Sequence, residues 1–96
     1  MMNAYEYVKE WYKNNCDGDW EHQYGVTINT LDNPGWEVRI DLAFTDLENV
    51  EIEYKLFQNS EEDWFGFSVK NKIFDAAGDP EKLETLLEKF REIAES

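Results

Sequence analysis

Apolar and charged residues alternate strictly in the middle of the chain, and this pattern leaves few folds open. Apolar side chains occupy every second position of segment 36–42, and charged side chains lie between them. Because successive side chains of a strand point to opposite faces, the segment predicts a β-strand with one face in a core and the other in water. The apolar residues are Trp36, Val38, Ile40 and Leu42, and the charged ones are Glu37, Arg39 and Asp41.

Other segments with a two-residue period surround this strand. Val26 and Ile28 alternate with polar residues, and further strands are predicted over about 50–57 and 64–69, with a short apolar segment at 73–74. The connections are too short for parallel crossovers, so the sheet should be an antiparallel meander. In the strand at 50–57, the alternation predicts inward-facing Val50, Ile52, Tyr54 and Leu56 and outward-facing Glu51, Glu53 and Lys55.

The turn before segment 36–42 contains Pro34 followed by Gly35. These two residue types suit the central positions of a type II turn, in which the second residue needs a positive φ. We therefore expect Gly35 to adopt a left-handed conformation.

Both ends of the chain show a helical period. Apolar residues recur three and four positions apart over residues 3–15 and again after residue 80. Asp79 and Pro80 suit the N-cap and the first position of the second helix. We predict a single two-layer α+β domain over residues 1–96, with an N-terminal helix, a meander sheet of four or five strands, and a C-terminal helix packed on one sheet face.

The chain is strongly acidic, with 22 Asp and Glu against nine Lys and Arg and a net charge of -13. This field repels phosphate backbones and anionic membrane surfaces, so neither nucleic acid nor a membrane is an expected partner. A basic protein is the partner that such a charge favours. Acidity that only confers solubility is the alternative.

Reactive side chains concentrate in segment 16–22. Cys16 and His22 are the components of a nucleophile and its base, and with Asp17 and Asp19 they are also potential metal ligands. No oxyanion-forming glycine motif accompanies them, and the spacing lacks the paired ligands typical of zinc sites. We therefore expect no catalytic residue, metal or cofactor, and a thiol- or metal-dependent enzyme is the least favoured interpretation. The single cysteine and the absence of a signal-peptide pattern favour the cytoplasm.

Two stretches, CDGDWEH at 16–22 and TLDNPGW at 30–36, together resemble the immunity protein 53 family. The similarity is close over about residues 11–46 and looser from residue 64 to the terminal helix. That family is associated with bacterial polymorphic toxin systems, in which a small immunity protein protects the producing cell from its own toxin. The resemblance implies neutralisation of a cognate toxin by direct protein–protein binding, without catalysis.

Two surfaces are candidates for binding this partner. On the polar sheet face, neighbouring strands would bring four acids into one patch, with Phe57 or Trp64 as apolar anchors. The second candidate is the pair of family-like stretches, which would otherwise be structural. The candidate residues are Glu37, Asp41, Glu51 and Glu53 on the sheet, and Trp20, Glu21, His22, Asp32 and Asn33 in the two stretches.

The charge favours a basic toxin. One candidate is a nuclease whose phosphate-binding groove the carboxylates would imitate. A generic acidic adaptor domain with another partner is the alternative function.

Overall fold

A computed structural model describes residues 2–96 and shows three helices and five strands. The predicted terminal helices and antiparallel sheet are present, so the α+β class is confirmed. Within residues 2–96, none of the helices is both long enough and apolar enough to cross a membrane. The elements are α1 (Ala4–Asn15), α2 (Trp20–Gln23), β1 (Val26–Leu31), β2 (Gly35–Asp41), β3 (Ile52–Ser60), β4 (Asp63–Lys70), β5 (Ile73–Gly78) and α3 (Leu83–Glu95).

The sheet has the order β1-β2-β5-β4-β3, and every neighbouring pair is antiparallel. Strands β3, β4 and β5 form a meander, but β5 then pairs with β2, so the chain is not one continuous meander. The connection from β2 to β3 runs past the β4–β5 turn, where the Leu42 amide donates to the Lys72 carbonyl at 2.8 Å. Leu42 and Leu47 bury their side chains in the core and hold this crossing in place.

Helices α1 and α3 pack on the same face of the sheet. Phe90 of α3 lies at the centre, with ring centroids 4.9 Å from Trp11 and 5.4 Å from Phe74. The opposite sheet face, called the open face below, carries no helix. The core is formed by Ala4, Val8, Val38, Ile40, Leu42, Leu47, Phe67, Val69, Phe74, Ala76, Leu86, Leu87 and Phe90.

Helix α3 begins later than predicted. Its first residue is Leu83, and Asp79 is not its N-cap. The Asp79 side chain accepts the Glu81 amide at 2.8 Å, and its carbonyl accepts the Lys82 amide at 3.0 Å. Asp79 therefore closes a turn that precedes the helix.

The predicted type II turn at Gly35 is wrong. Gly18 is the only glycine among the described residues with a positive φ, and the Asn33–Pro34 peptide bond is cis. A Cβ on Gly35 would contact the carbonyl oxygen of Gly78 in β5. Glycine is needed here because two backbones approach closely, not because of its φ angle.

The outer part of β3 faces opposite to the prediction. A register shift, typical of a β-bulge, lies between Ile52 and Lys55. Before the shift Ile52 lies opposite a buried residue of β4, and after it Lys55 and Phe57 take the helix-facing positions. Because one extra residue reverses the face of every later side chain, Tyr54 and Leu56 lie on the open face.

Candidate functional site

Segment 16–22 is held together by its own carboxylates. One oxygen of Asp17 accepts the amides of Asp19 and Trp20, both at 2.9 Å. The Glu21 carboxylate accepts the amides of Asp17 and Gly18, also at 2.9 Å. The Trp20 and Asp19 amides lower the pKa of Asp17, and the amides of Glu21 itself, Asp17 and Gly18 lower the pKa of Glu21. Both acids thus already stabilise the loop.

Trp20 is a buried packing residue, with 5% of its surface exposed. Its indole N–H donates to the carbonyl of Ala43 at 2.9 Å. Its ring makes an edge contact with Trp11, with centroids 6.0 Å apart, and lies near Tyr12 and Tyr24. The first family-like stretch therefore joins α1, α2 and the segment after β2.

Within the described residues, no hydrogen bond joins the side chains of Cys16 and His22. The Cys16 thiol donates to the carbonyl of Tyr12 at 3.3 Å, while the His22 side chain lies exposed on α2. In the part of the chain that the structure describes, no three or more His, Cys, Asp or Glu side chains are grouped to hold a metal ion.

The second family-like stretch lies far from the first. Asp32 and Asn33 are exposed in the turn after β1, whereas Trp20 and His22 precede β1. A six-residue strand separates the two ends by about 20 Å. The five candidate residues of the two stretches therefore do not form one surface.

An acidic cleft of about 450 Å³ occupies the Asn33 end of the sheet. It forms where the β1–β2 turn, the β3–β4 turn and the β5–α3 turn meet. Its lining consists of Asn33, Pro34, Glu61, Glu62, Asp79, Pro80 and Glu81.

A buried ion pair fixes this end. Asp79, only 1% exposed, accepts the Lys82 ammonium at 2.7 Å and the Trp64 amide at 2.9 Å. Lys82 also reaches Asp63 at 2.7 Å. The Lys82 hydrogen bond, with the backbone amides, lowers the pKa of Asp79 to about 2. The sequence does not reveal this cluster, because Asp79 before a proline also fits a helix cap.

The four acids of the sheet candidate do not form one patch. Glu37 lies on the open face of β2 and Asp41 is the last residue of that strand, but β5 and β4 separate β2 from β3. Three strand spacings place Glu53 about 14 Å from β2, and Glu51 precedes β3. Glu53 also pairs with Lys70 at 3.0 Å. The assumption that β2 and β3 are neighbours was wrong.

The two predicted aromatic anchors lie on different faces. Trp64 is half-buried on the open face, opposite Gln58 of β3. Phe57 lies on the helix side, stacked on Phe65 with ring centroids 4.9 Å apart. The open face instead carries Tyr54 and Leu56, which the sequence pattern had placed in the core.

A groove of about 610 Å³ runs between α1 and the edge strand β1. Tyr5, Tyr12 and Ile28 are its exposed apolar residues. Lys9 and Asp41 are the charged residues of its lining, and Asp41 accepts the Gly25 amide at 3.0 Å. The groove is thus largely apolar.

Residues 5–95 match the model of one protein family, described as Immunity protein 53. The match covers both terminal helices and all five strands. No curated protein and no solved structure matches the chain significantly.

Proposed function

The chain belongs to the immunity protein 53 family, and we propose that it acts by binding a cognate toxin directly and covering the toxin's active or substrate-binding surface. The family match over residues 5–95 carries this proposal, because it includes every strand and both terminal helices. The whole fold is therefore the unit to which the immunity role applies.

The use of the reactive side chains supports binding over catalysis. Asp17 and Glu21 are occupied by backbone amides, and the Cys16 thiol donates to a main-chain carbonyl. A general base must lie within hydrogen-bonding reach of the proton it removes. Among the described residues the hydrogen bond of the Cys16 thiol is to the Tyr12 carbonyl and not to the His22 imidazole, which supports binding as the function.

The charge supports a basic toxin as the partner. A net charge of -13 on 96 residues produces a negative potential over much of the surface. Complementary fields raise association rates by about 10–10³, and salt weakens the effect. A nuclease fits best, since its phosphate-binding groove already attracts anionic groups and carboxylates would occupy it. We place this encounter in the cytoplasm, where such a toxin would meet its substrate.

Co-expression with a toxin whose gene adjoins the gene for this chain tests the proposal. Cells that carry both genes should survive, and the two proteins should co-purify as a stoichiometric complex. Purified chain should inhibit the toxin in proportion to its occupancy. Cell death despite abundant folded chain would refute an immunity role against that toxin. Protection without any complex would refute direct binding.

Two substitutions separate binding from thiol chemistry. Cells that carry the Cys16→Ser or the His22→Ala variant should remain protected, because the Cys16 thiol is hydrogen-bonded to the Tyr12 carbonyl and not to His22. A stably folded Cys16→Ser protein that no longer protects would favour an enzyme instead. A chain that binds other proteins but never the toxin would favour a generic adaptor.

A further inference from the structure

Two large apolar side chains are exposed on the open face of the sheet. Tyr54 is 58% exposed and Leu56 is 52% exposed. The solvent face of an antiparallel sheet normally carries polar residues, and clustered apolar residues on a surface often mark an interaction site. Here the β3 bulge places them on this face, although their sequence positions would otherwise direct them to the core.

The ring of Tyr54 lies over Gly66 of β4, where no side chain occupies the space. A Cβ on Gly66 would lie 2.8 Å from the Tyr54 ring carbon Cζ and in contact with the Tyr54 hydroxyl. Gly66 therefore leaves the space in which the ring lies against β4. Because Tyr54 is more than half exposed, a partner can contact its ring in this position.

A shallow floor extends from these residues across the sheet. In strand order, Leu56 lies opposite Gly66, Gly66 opposite Ala77, and Ala77 opposite Glu37. Gly66 and Ala77 thus separate Leu56 from Glu37, and the three strand spacings between them amount to about 14 Å. Trp64 adjoins this row on β4, on the same face.

The charges on this face leave Glu37 available. Arg39 pairs with Asp75 at 4.0 Å, and Lys70 pairs with Glu53 at 3.0 Å. Within residues 2–96, no Lys or Arg forms an ion pair with Glu37. A second copy of this chain would bring another charge of -13 to the same place, so a basic partner fits and a homodimer does not.

We propose that the open-face patch, defined as Tyr54, Leu56, Trp64 and Glu37, anchors a basic surface of the cognate toxin. An apolar toxin side chain packs against Tyr54 and Leu56, and a toxin Lys or Arg lies over the small residues with its cation beside Glu37. Tyr and Trp are among the residue types that dominate binding energy at interfaces. The assignment rests on the proposed function, and it names the surface that performs it.

The test measures binding of the purified toxin encoded by the adjoining gene. Tyr54→Ala with Leu56→Ala should weaken the complex by at least about tenfold, mainly through faster dissociation. Tyr5→Ala is the matched control, since Tyr5 is 63% exposed but lies on α1. It should change the Kd by less than about twofold. Leu56→Ser alone keeps both Tyr54 and Gly66 and provides a second variant should the double one unfold.

The outcomes separate this proposal from the immunity role itself. If wild-type chain fails to bind or inhibit the toxin, the proposed function is wrong. If wild-type chain binds but folded Tyr54→Ala, Leu56→Ala and Leu56→Ser variants bind equally well, only the surface assignment is wrong. Weakened binding by Tyr5→Ala alone would also overturn it and place the toxin on the α1–β1 groove.

Discussion

Replacing Trp20 by alanine should destabilise the domain by about 3–5 kcal/mol, the usual cost of truncating a buried aromatic residue. The structure places Trp20 at the upper part of this range. Its ring is 5% exposed and contacts three other aromatic rings, and its N–H satisfies the carbonyl of Ala43 at 2.9 Å. A domain of this size has a free energy of unfolding of about 5–14 kcal/mol. The substitution therefore removes a large fraction of the stability.

Thermal and urea melts followed by circular dichroism measure this effect. At about 4–8 °C per kcal/mol, Trp20→Ala should lower the Tm by at least about 12 °C. Trp20→Phe keeps a ring but loses the N–H, so it should cost less, with about 1 kcal/mol from the hydrogen bond. Toxin affinity of Trp20→Ala, measured at a temperature where it is folded, should stay near that of wild type. A Tm close to wild type together with lost toxin binding would refute the structural role and assign this stretch to recognition.

Three further predictions concern backbone approach, pH and charge. Gly35→Ala should destabilise the domain by about 1–3 kcal/mol in urea melts, because its Cβ would contact a backbone carbonyl of β5. Gly25→Ala is the control and should be tolerated, because a Cβ on Gly25 would have its nearest neighbouring atom 3.9 Å away. Equal urea midpoints for the two variants would contradict the close approach of the Gly35 and Gly78 backbones. The pKa of Asp79 falls from 3.8 to about 2 in the fold, so its contribution is present above about pH 4 and is lost as the pH falls towards 2. The gap in urea midpoint between wild type and Asp79→Asn should thus shrink below pH 4, and a constant gap would show that the ion pair does not stabilise the fold. Glu51→Lys with Glu53→Lys should slow toxin association and flatten its salt dependence. The Tm should change little, because both acids are exposed and the Glu53–Lys70 pair is a surface ion pair. Unchanged association rates across a salt series would exclude steering by this edge of the sheet.

The interpretation of the two family-like stretches changes with the structure. Asp17 and Glu21 accept backbone amides, and Trp20 is buried, so three residues of the first stretch stabilise the fold. Asp32 and Asn33 lie exposed at the other end of β1. A resemblance in sequence cannot separate these two roles, because turns that stabilise the fold and turns that contact a partner favour the same small and acidic residues.

The sequence alone determined the α+β class, the terminal helices and the strand that comprises residues 36–41. Each of these depends on a local period in the sequence. For example, Val38 and Ile40 alternate with Glu37 and Arg39 whichever strands lie beside this one. The strong acidity, a net charge of -13, also follows from composition alone.

Only the tertiary structure decided which strands are neighbours and which side chains of β3 face solvent. The insertion of β5 between β2 and β4 depends on contacts between residues far apart in sequence, which no local period records. The bulge leaves the apolar spacing of Ile52, Tyr54 and Leu56 intact in the sequence but reverses the face of the last two. The register of β3 follows from its pairing with β4, in which Gly66 leaves room for the Tyr54 ring. The open-face patch therefore exists only in the folded sheet, because periodicity reports that a residue is apolar but not which face its strand presents.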